Sequence, residues 1–151
     1  MTNTSRTASV FLALMLAACS LKYDPEHVGS ISVERGKEPA IAVGDTTLGV
    51  GQLVDLSVGV GDFARFYAYP CDGLLRLEAR DSDGNWRAAR PCDKNEAGVF
   101  RPLDDALNGV VPMLADGRMT ERGTFRFSMV LADKDDANRR SIHSEEIVVA
   151  P

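Results

Sequence analysis

Gly123-Thr124-Phe125-Arg126-Phe127-Ser128-Met129-Val130-Leu131 decides the fold. Phe125, Phe127, Met129 and Leu131 alternate with Arg126, Ser128 and Val130, a period of two that places the large apolar side chains on one face of an extended chain. A helix would scatter those four residues around its circumference. The run therefore predicts a half-buried β-strand. Immediately after it, Asp133-Lys134-Asp135-Asp136-Ala137-Asn138 has the composition of a hairpin turn, and Ile147-Val148-Val149 predicts the closing strand.

The same period recurs toward the N-terminus. Ile31 and Val33, then Val54, Leu56, Val58 and Val60, then Phe66 and Ala68, then Leu75, Leu77 and Ala79 each alternate with polar or small residues. Between the last of these runs and Trp86 lies Asp81-Ser82-Asp83-Gly84-Asn85, whose Asp-Gly pair supplies the positive φ angles of a hairpin. Several short strands punctuated in this way predict an all-β fold, a single antiparallel sandwich or barrel over residues 29–151. Residues 103–119 break the pattern. Leu103-Asp104-Asp105-Ala106-Leu107 reads as one helical turn, stopped by Asn108-Gly109.

Two local patterns carry a resemblance. The Gly123-Thr124-Phe125 strand, its acidic hairpin and Ile142-His143-Ser144-Glu145-Glu146-Ile147 resemble the closing hairpin of bacterial immunoglobulin-like domains. Cys71 and Cys92, bracketing Asp83-Gly84-Asn85-Trp86, are similar to the cysteine pair of small exported sandwiches. The resemblance implies an immunoglobulin-like β-sandwich and carries no catalytic residues with it.

The N-terminus supplies the compartment. Arg6 precedes the unbroken apolar run Val10–Ala18, which at about 1.5 Å per residue reaches only about half of a roughly 30 Å hydrocarbon core. A cleavable export signal over residues 1–18 fits that length better than a membrane span. Leu16-Ala17-Ala18-Cys19 resembles the bacterial lipobox, which implies an acylated Cys19, a tether over residues 19–28 and attachment to a bilayer. Two or more acyl chains hold a protein stably where one does not. Ser20 after the cysteine resembles the sorting pattern of outer-membrane lipoproteins, so the expected location is the outer membrane, facing the periplasm.

Removing residues 1–18 takes away Arg6 and no acid, leaving 16 Lys and Arg against 22 Asp and Glu, net −6. That balance argues against nucleic acid as a partner. With Cys19 assigned to lipid, Cys71 and Cys92 permit one pairing, and an oxidising compartment predicts a disulfide, with free thiols as the alternative. No Cys-x-x-Cys accompanies them, and His27 and His143 are distant in sequence, so no metal site or cofactor is implied.

Other candidate chemistry is thin. Asp81, Asp83 and Asn85 have the alternate spacing of a calcium loop, but Trp86 stands where such a loop needs Gly and Cys92 where it needs Glu. His143-Ser144-Glu145 has the residue types of a hydrolytic triad, yet neighbours on a strand point to opposite faces. Asp104-Asp105 and Glu145-Glu146 read as solvated charge. Tyr67 and Tyr69, opposite Phe66, are a candidate contact surface, as are Val111 and Leu114 in the apolar 103–119 segment. The sum predicts no enzyme but a non-catalytic binding or structural module with an envelope protein as partner. The alternative is an inhibitor of a periplasmic or secreted hydrolase, inserting residues 103–119.

Overall fold

The computed structural model describes residues 29–151. The export signal, the lipobox with Cys19 and the tether lie outside those residues. Eleven strands and one short helix follow in order: β1 Ile31–Arg35, β2 Ala40–Val43, β3 Thr47–Gly49, β4 Leu56–Gly61, β5 Arg65–Ala68, β6 Arg76–Arg80, β7 Trp86–Ala88, β8 Val99–Pro102, α1 Leu103–Leu107, β9 Gly123–Ala132, β10 Arg139–His143 and β11 Ile147–Ala150. They build two sheets, a small one in the order β1-β4-β2 and a larger one organised around β9.

The ten residues of β9 form the spine of the larger sheet. Phe125, Phe127, Met129 and Leu131 all lie on its buried face, as their period of two dictates. Opposite them, Leu56, Val58 and Val60 of β4 and Ile41 of β2 complete one apolar cluster with Phe66, Leu77, Ile147 and Val149. Burying each such side chain contributes roughly 1.5–3 kcal/mol.

Two pairings correct the expectation of an antiparallel sandwich. β1 lies parallel to β4, and β3 lies parallel to β11. Parallel neighbours need a crossover rather than a hairpin. The chain provides it by sending β2 to the far side of β4 and β3 into the other sheet before β4 begins.

The return from β9 is one strand in two pieces. Met129 pairs with Ile142 and Phe125 with Ile147, so four steps along β9 answer five along its partner. The extra residue falls at Ser144–Glu146. There the Ser144 hydroxyl accepts the Phe127 N–H at 2.9 Å and donates to the Glu145 carbonyl at 2.8 Å. A side chain takes the ladder's place for one step, and pairing resumes in register with the core.

Residues 103–119 close the core. α1 stops at Asn108, and Gly109 takes a φ of 74°. Leu103, Ala106, Met113, Leu114 and Met119 are all buried. Leu74 and Leu75 donate N–H bonds to the carbonyls of Pro112 and Met113 at 3.0 and 2.8 Å, and Met119 exchanges bonds with Gly51 and Gln52 at 2.7 and 2.9 Å. The segment is a lid stitched down on both sides.

Candidate functional site

Along the other edge of β9, β5 and β6 run end to end. Phe66 pairs with Leu131 and Arg76 with Ser128, so ten steps on one strand answer three on β9. Residues 69–75 are the excess, thrown out as an excursion. Tyr69 and Gly73 pinch its base with backbone bonds of 2.8 and 2.9 Å, leaving Cys71 at its tip with a φ of 68°. A Cβ on Gly73, itself at φ 95°, would run into the Pro112 carbonyl. Only glycine lets the excursion press against the lid this closely.

The next strand outward is interrupted at the same level. Ala88 of β7 pairs with Glu78, and Val99 of β8 pairs with Ala68, with the exposed loop 89–98 between them. The Cys71–Cys92 disulfide, Cα–Cα 5.9 Å, ties the two excursions together, the pairing expected from the sequence. Gly98 completes the fit, because a Cβ there would collide with the Tyr67 ring.

What opens between these excursions is a groove of about 700 Å³ on the outer face of the larger sheet. Its floor is aromatic. Tyr67 sits edge-on to Tyr69 at 5.1 Å and to Phe100 at 5.5 Å. Arg76 lies over the Tyr69 ring at 5.4 Å, and Arg126 lies over Trp86 at 4.3 Å while pairing with Glu78 at 2.7 Å. Guanidinium groups prefer such ring faces because the face carries the negative end of the ring's quadrupole.

Charge in the groove runs against that of the whole chain. Arg76, Arg87, Arg90 and Lys94 face Asp72 and Glu96, in a protein whose net charge is −5. Arg87 is committed to Asp81 at 2.6 Å. Arg90 is spent on the carbonyls of Asp116 and Arg118. Arg76 and Lys94 enter none of the ion pairs among the described residues.

Two titratable groups register the low polarity of the floor. Burial pushes the Asp72 carboxyl up, partly offset by the positive charges of Arg90 and Arg76. Burial likewise raises the Tyr69 phenol, with the Ser128 hydroxyl and Arg76 pulling the other way. The Ser128 hydroxyl is buried and has no hydrogen-bond partner among the described residues, and burial outweighs both pulls.

The structure distributes the sequence candidates unevenly. Tyr67 and Tyr69 line the groove, and Tyr69 also borders a smaller pocket with Val111 and Pro112 of the lid. Leu114 is 2% exposed and belongs to the core, so a contact surface in this segment is limited to half-buried Val111, exposed Pro112 and the neighbouring Val110, 65% exposed. Asp81 is consumed by its own turn, accepting from the N–H groups of Asp83 and Asn85 at 3.0 and 2.8 Å as well as from Arg87. Asp133 does the same for Asp135, Ala137 and Asn138. Asp104 pairs with Arg35 and Asp105 with Arg101, on separate partners. His143 is exposed, and the Ser144 hydroxyl serves the strand break. Among the described residues no group of three or more His, Cys, Asp and Glu is placed to hold a metal ion, and no helix is long and apolar enough to cross a membrane.

Sequence reasoning missed Arg76, Arg90, Lys94 and Asp72. Acids and bases are mixed throughout residues 71–96, and only the two excursions sort them onto one side. The legible signals were Tyr67, Tyr69 and the two cysteines, with Trp86 beside its Asp-Gly turn. Compared with family models, curated proteins and solved structures, the chain finds no match.

Proposed function

We propose that this chain is a lipid-anchored, non-catalytic binding module of the bacterial cell envelope. In this reading acylated Cys19 holds an immunoglobulin-like sandwich to the outer membrane, facing the periplasm, and the groove engages an envelope protein. The closing hairpin and the disulfide beside a tryptophan hairpin support the immunoglobulin-like reading, while the two parallel pairings depart from it. The observation that carries the binding role is the groove itself, where Arg76 and Lys94 have no ion-pair partner among the described residues and border a half-buried aromatic floor. A surface that merely needed solubility would not gather uncommitted cations and aromatics at one interruption of a sheet.

The alternative, an inhibitor that inserts residues 103–119 into a hydrolase, has less support. Insertion of the whole segment would draw Met113, Leu114 and Met119 out of the core and break the bonds to Leu74 and Leu75, leaving only the exposed turn around Val110 and Pro112 free to enter a cleft.

The test is made on the full chain in its own bacterium, with a photo-crosslinking residue at exposed Lys94 or, as control, at exposed Glu121. One envelope protein should be captured from position 94 and not from 121. Capture of nothing, or of the same species from both, would remove the groove as the contact. Labelling with a palmitate analogue tests the anchor separately: the label should disappear in Cys19→Ala, and its persistence would refute the lipobox.

A further inference from the structure

We infer, on the binding-module reading above, that the groove takes an extended, carboxylate-rich peptide segment of the partner, paired to the free edge of β7 with its acidic side chains on Arg76 and Lys94. Three observations converge on that occupant. The groove presents a surplus of cations within an acidic protein, so the complementary ligand is an anion. The second concerns which anion. Arg76 lies over Tyr69, a placement that leaves the edge of the guanidinium and its N–H donors for a planar carboxylate. Arg126 covers Trp86 in the same manner, and Tyr67 is engaged edge-on by two rings. One face of Tyr69 and one of Trp86 are thereby already taken from a sugar ring that would stack on them.

The third is the edge. β7 pairs with β6 and with no other strand among the described residues. Ala89 directs its N–H to the Leu77 carbonyl at 2.9 Å. Successive amides on a strand point in opposite directions, so the Ala88 N–H is turned away from β6, and Ala88 lines the groove. An added strand would find main-chain donors and acceptors there, while alternate acidic side chains reach the cations.

Trp86 is the only tryptophan in the chain and lines the groove, so its fluorescence reports occupancy directly. The purified full chain, in detergent, is titrated with three probes: a decapeptide alternating Glu and Thr, the same peptide with Lys for Glu, and polygalacturonate. The Glu/Thr peptide should change Trp86 emission saturably, and less so as salt is raised. Arg76→Gln, Lys94→Gln and Ala88→Pro should each weaken it at least about tenfold, with the circular dichroism of each variant matching that of the parent. Proline at Ala88 removes only an outward N–H and is tolerated at a strand edge. Saturation by polygalacturonate but not by the peptide would make this a glycan site and overturn the inference. Equal binding of the Lys peptide, or full binding by both Arg76→Gln and Lys94→Gln, would overturn it as well. Full binding by Ala88→Pro would refute the strand pairing. Should no acidic probe bind while the capture from position 94 persists, the inference fails and the binding module stands. Loss of both removes the two together.

Discussion

Residues 103–119 and residues 89–98 are both long departures from the strand pattern, and they are held by different forces. The first buries Leu103, Ala106, Met113, Leu114 and Met119 and bonds its main chain to residues 51–54 and 74–75. The second fully buries none of its side chains. A disulfide from Cys92 to Cys71 and the bonds of Arg90 to residues 116 and 118 tie it down. A segment ordered by burying its own apolar side chains shows a partner only what is left over, here Val110 and Pro112 at its turn. One ordered by a covalent tie and a single arginine keeps its surface free. The sequence draws attention to the first because it is apolar; the structure makes the second the wall of a groove.

The largest expected effect comes from breaking the lid. Leu114→Asp places a carboxylate where leucine is 2% exposed, losing burial and adding an unpaired charge, a cost of about 4 kcal/mol or more. Against a total of about 5–15 kcal/mol for a typical domain, the variant should fail to fold or melt more than about 15 °C lower by circular dichroism. Val111→Asp, at a half-buried position, should cost only a few degrees. Equal, small effects at both would mean that the lid is not held by burial.

The disulfide comes next. Cys71 and Cys92 are 21 residues apart, and closing a loop of that size contributes about 3 kcal/mol in the chain-entropy picture. Replacing both with serine should lower Tm by roughly 10 °C and expose Trp86, shifting its emission to the red. Intact mass after alkylation should show two added groups only once the protein is reduced. If the serine variant keeps both its Tm and its emission, loop 89–98 is held by something other than the bridge.

How far the sequence reaches differs between these regions, for physical reasons. The spine β9 was legible because four large apolar residues at period two admit one structure. The helical turn at Leu103–Leu107 and its stop at Asn108-Gly109 were legible from local chemistry alone. β2, β3 and β8, three or four residues each, were not, because Ala40-Ile41-Ala42-Val43, Thr47-Leu48-Gly49 and Val99-Phe100-Arg101-Pro102 do not alternate large apolar with polar residues. The parallel pairings were hidden as well, since strand direction in a sheet is set by where the chain has already been. For the groove, Tyr67 and Tyr69 showed through because they oppose Phe66. Arg76 and Lys94 did not, because nothing local distinguishes a cation that finds an acid from one that finds none.

The smallest effect tests whether loop 89–98 depends on more than its disulfide and the Arg90 bonds to carbonyls. Asp72 lies in the excursion, 8% exposed, with its carboxyl pushed up by burial and drawn back by Arg90 and Arg76. A carboxyl raised in the folded state favours folding in its neutral form. Its contribution is therefore complete below the unfolded value of 3.8 and is lost as pH rises through the folded value. Asn at this position stays neutral at every pH. Asp72→Asn should thus melt slightly higher than the parent at pH 7, by less than the roughly 4 °C that 1 kcal/mol makes in a domain of this size. The difference should shrink as the pH falls and vanish below 3.8. The opposite sign at pH 7 would mean that attraction to Arg90 outweighs burial. Loop 89–98 would then be fastened by a second ion pair, beside that of Arg90 with Asp116 at 3.9 Å, as well as by Cys92, and the contrast with the lid would narrow to one between polar and apolar anchoring.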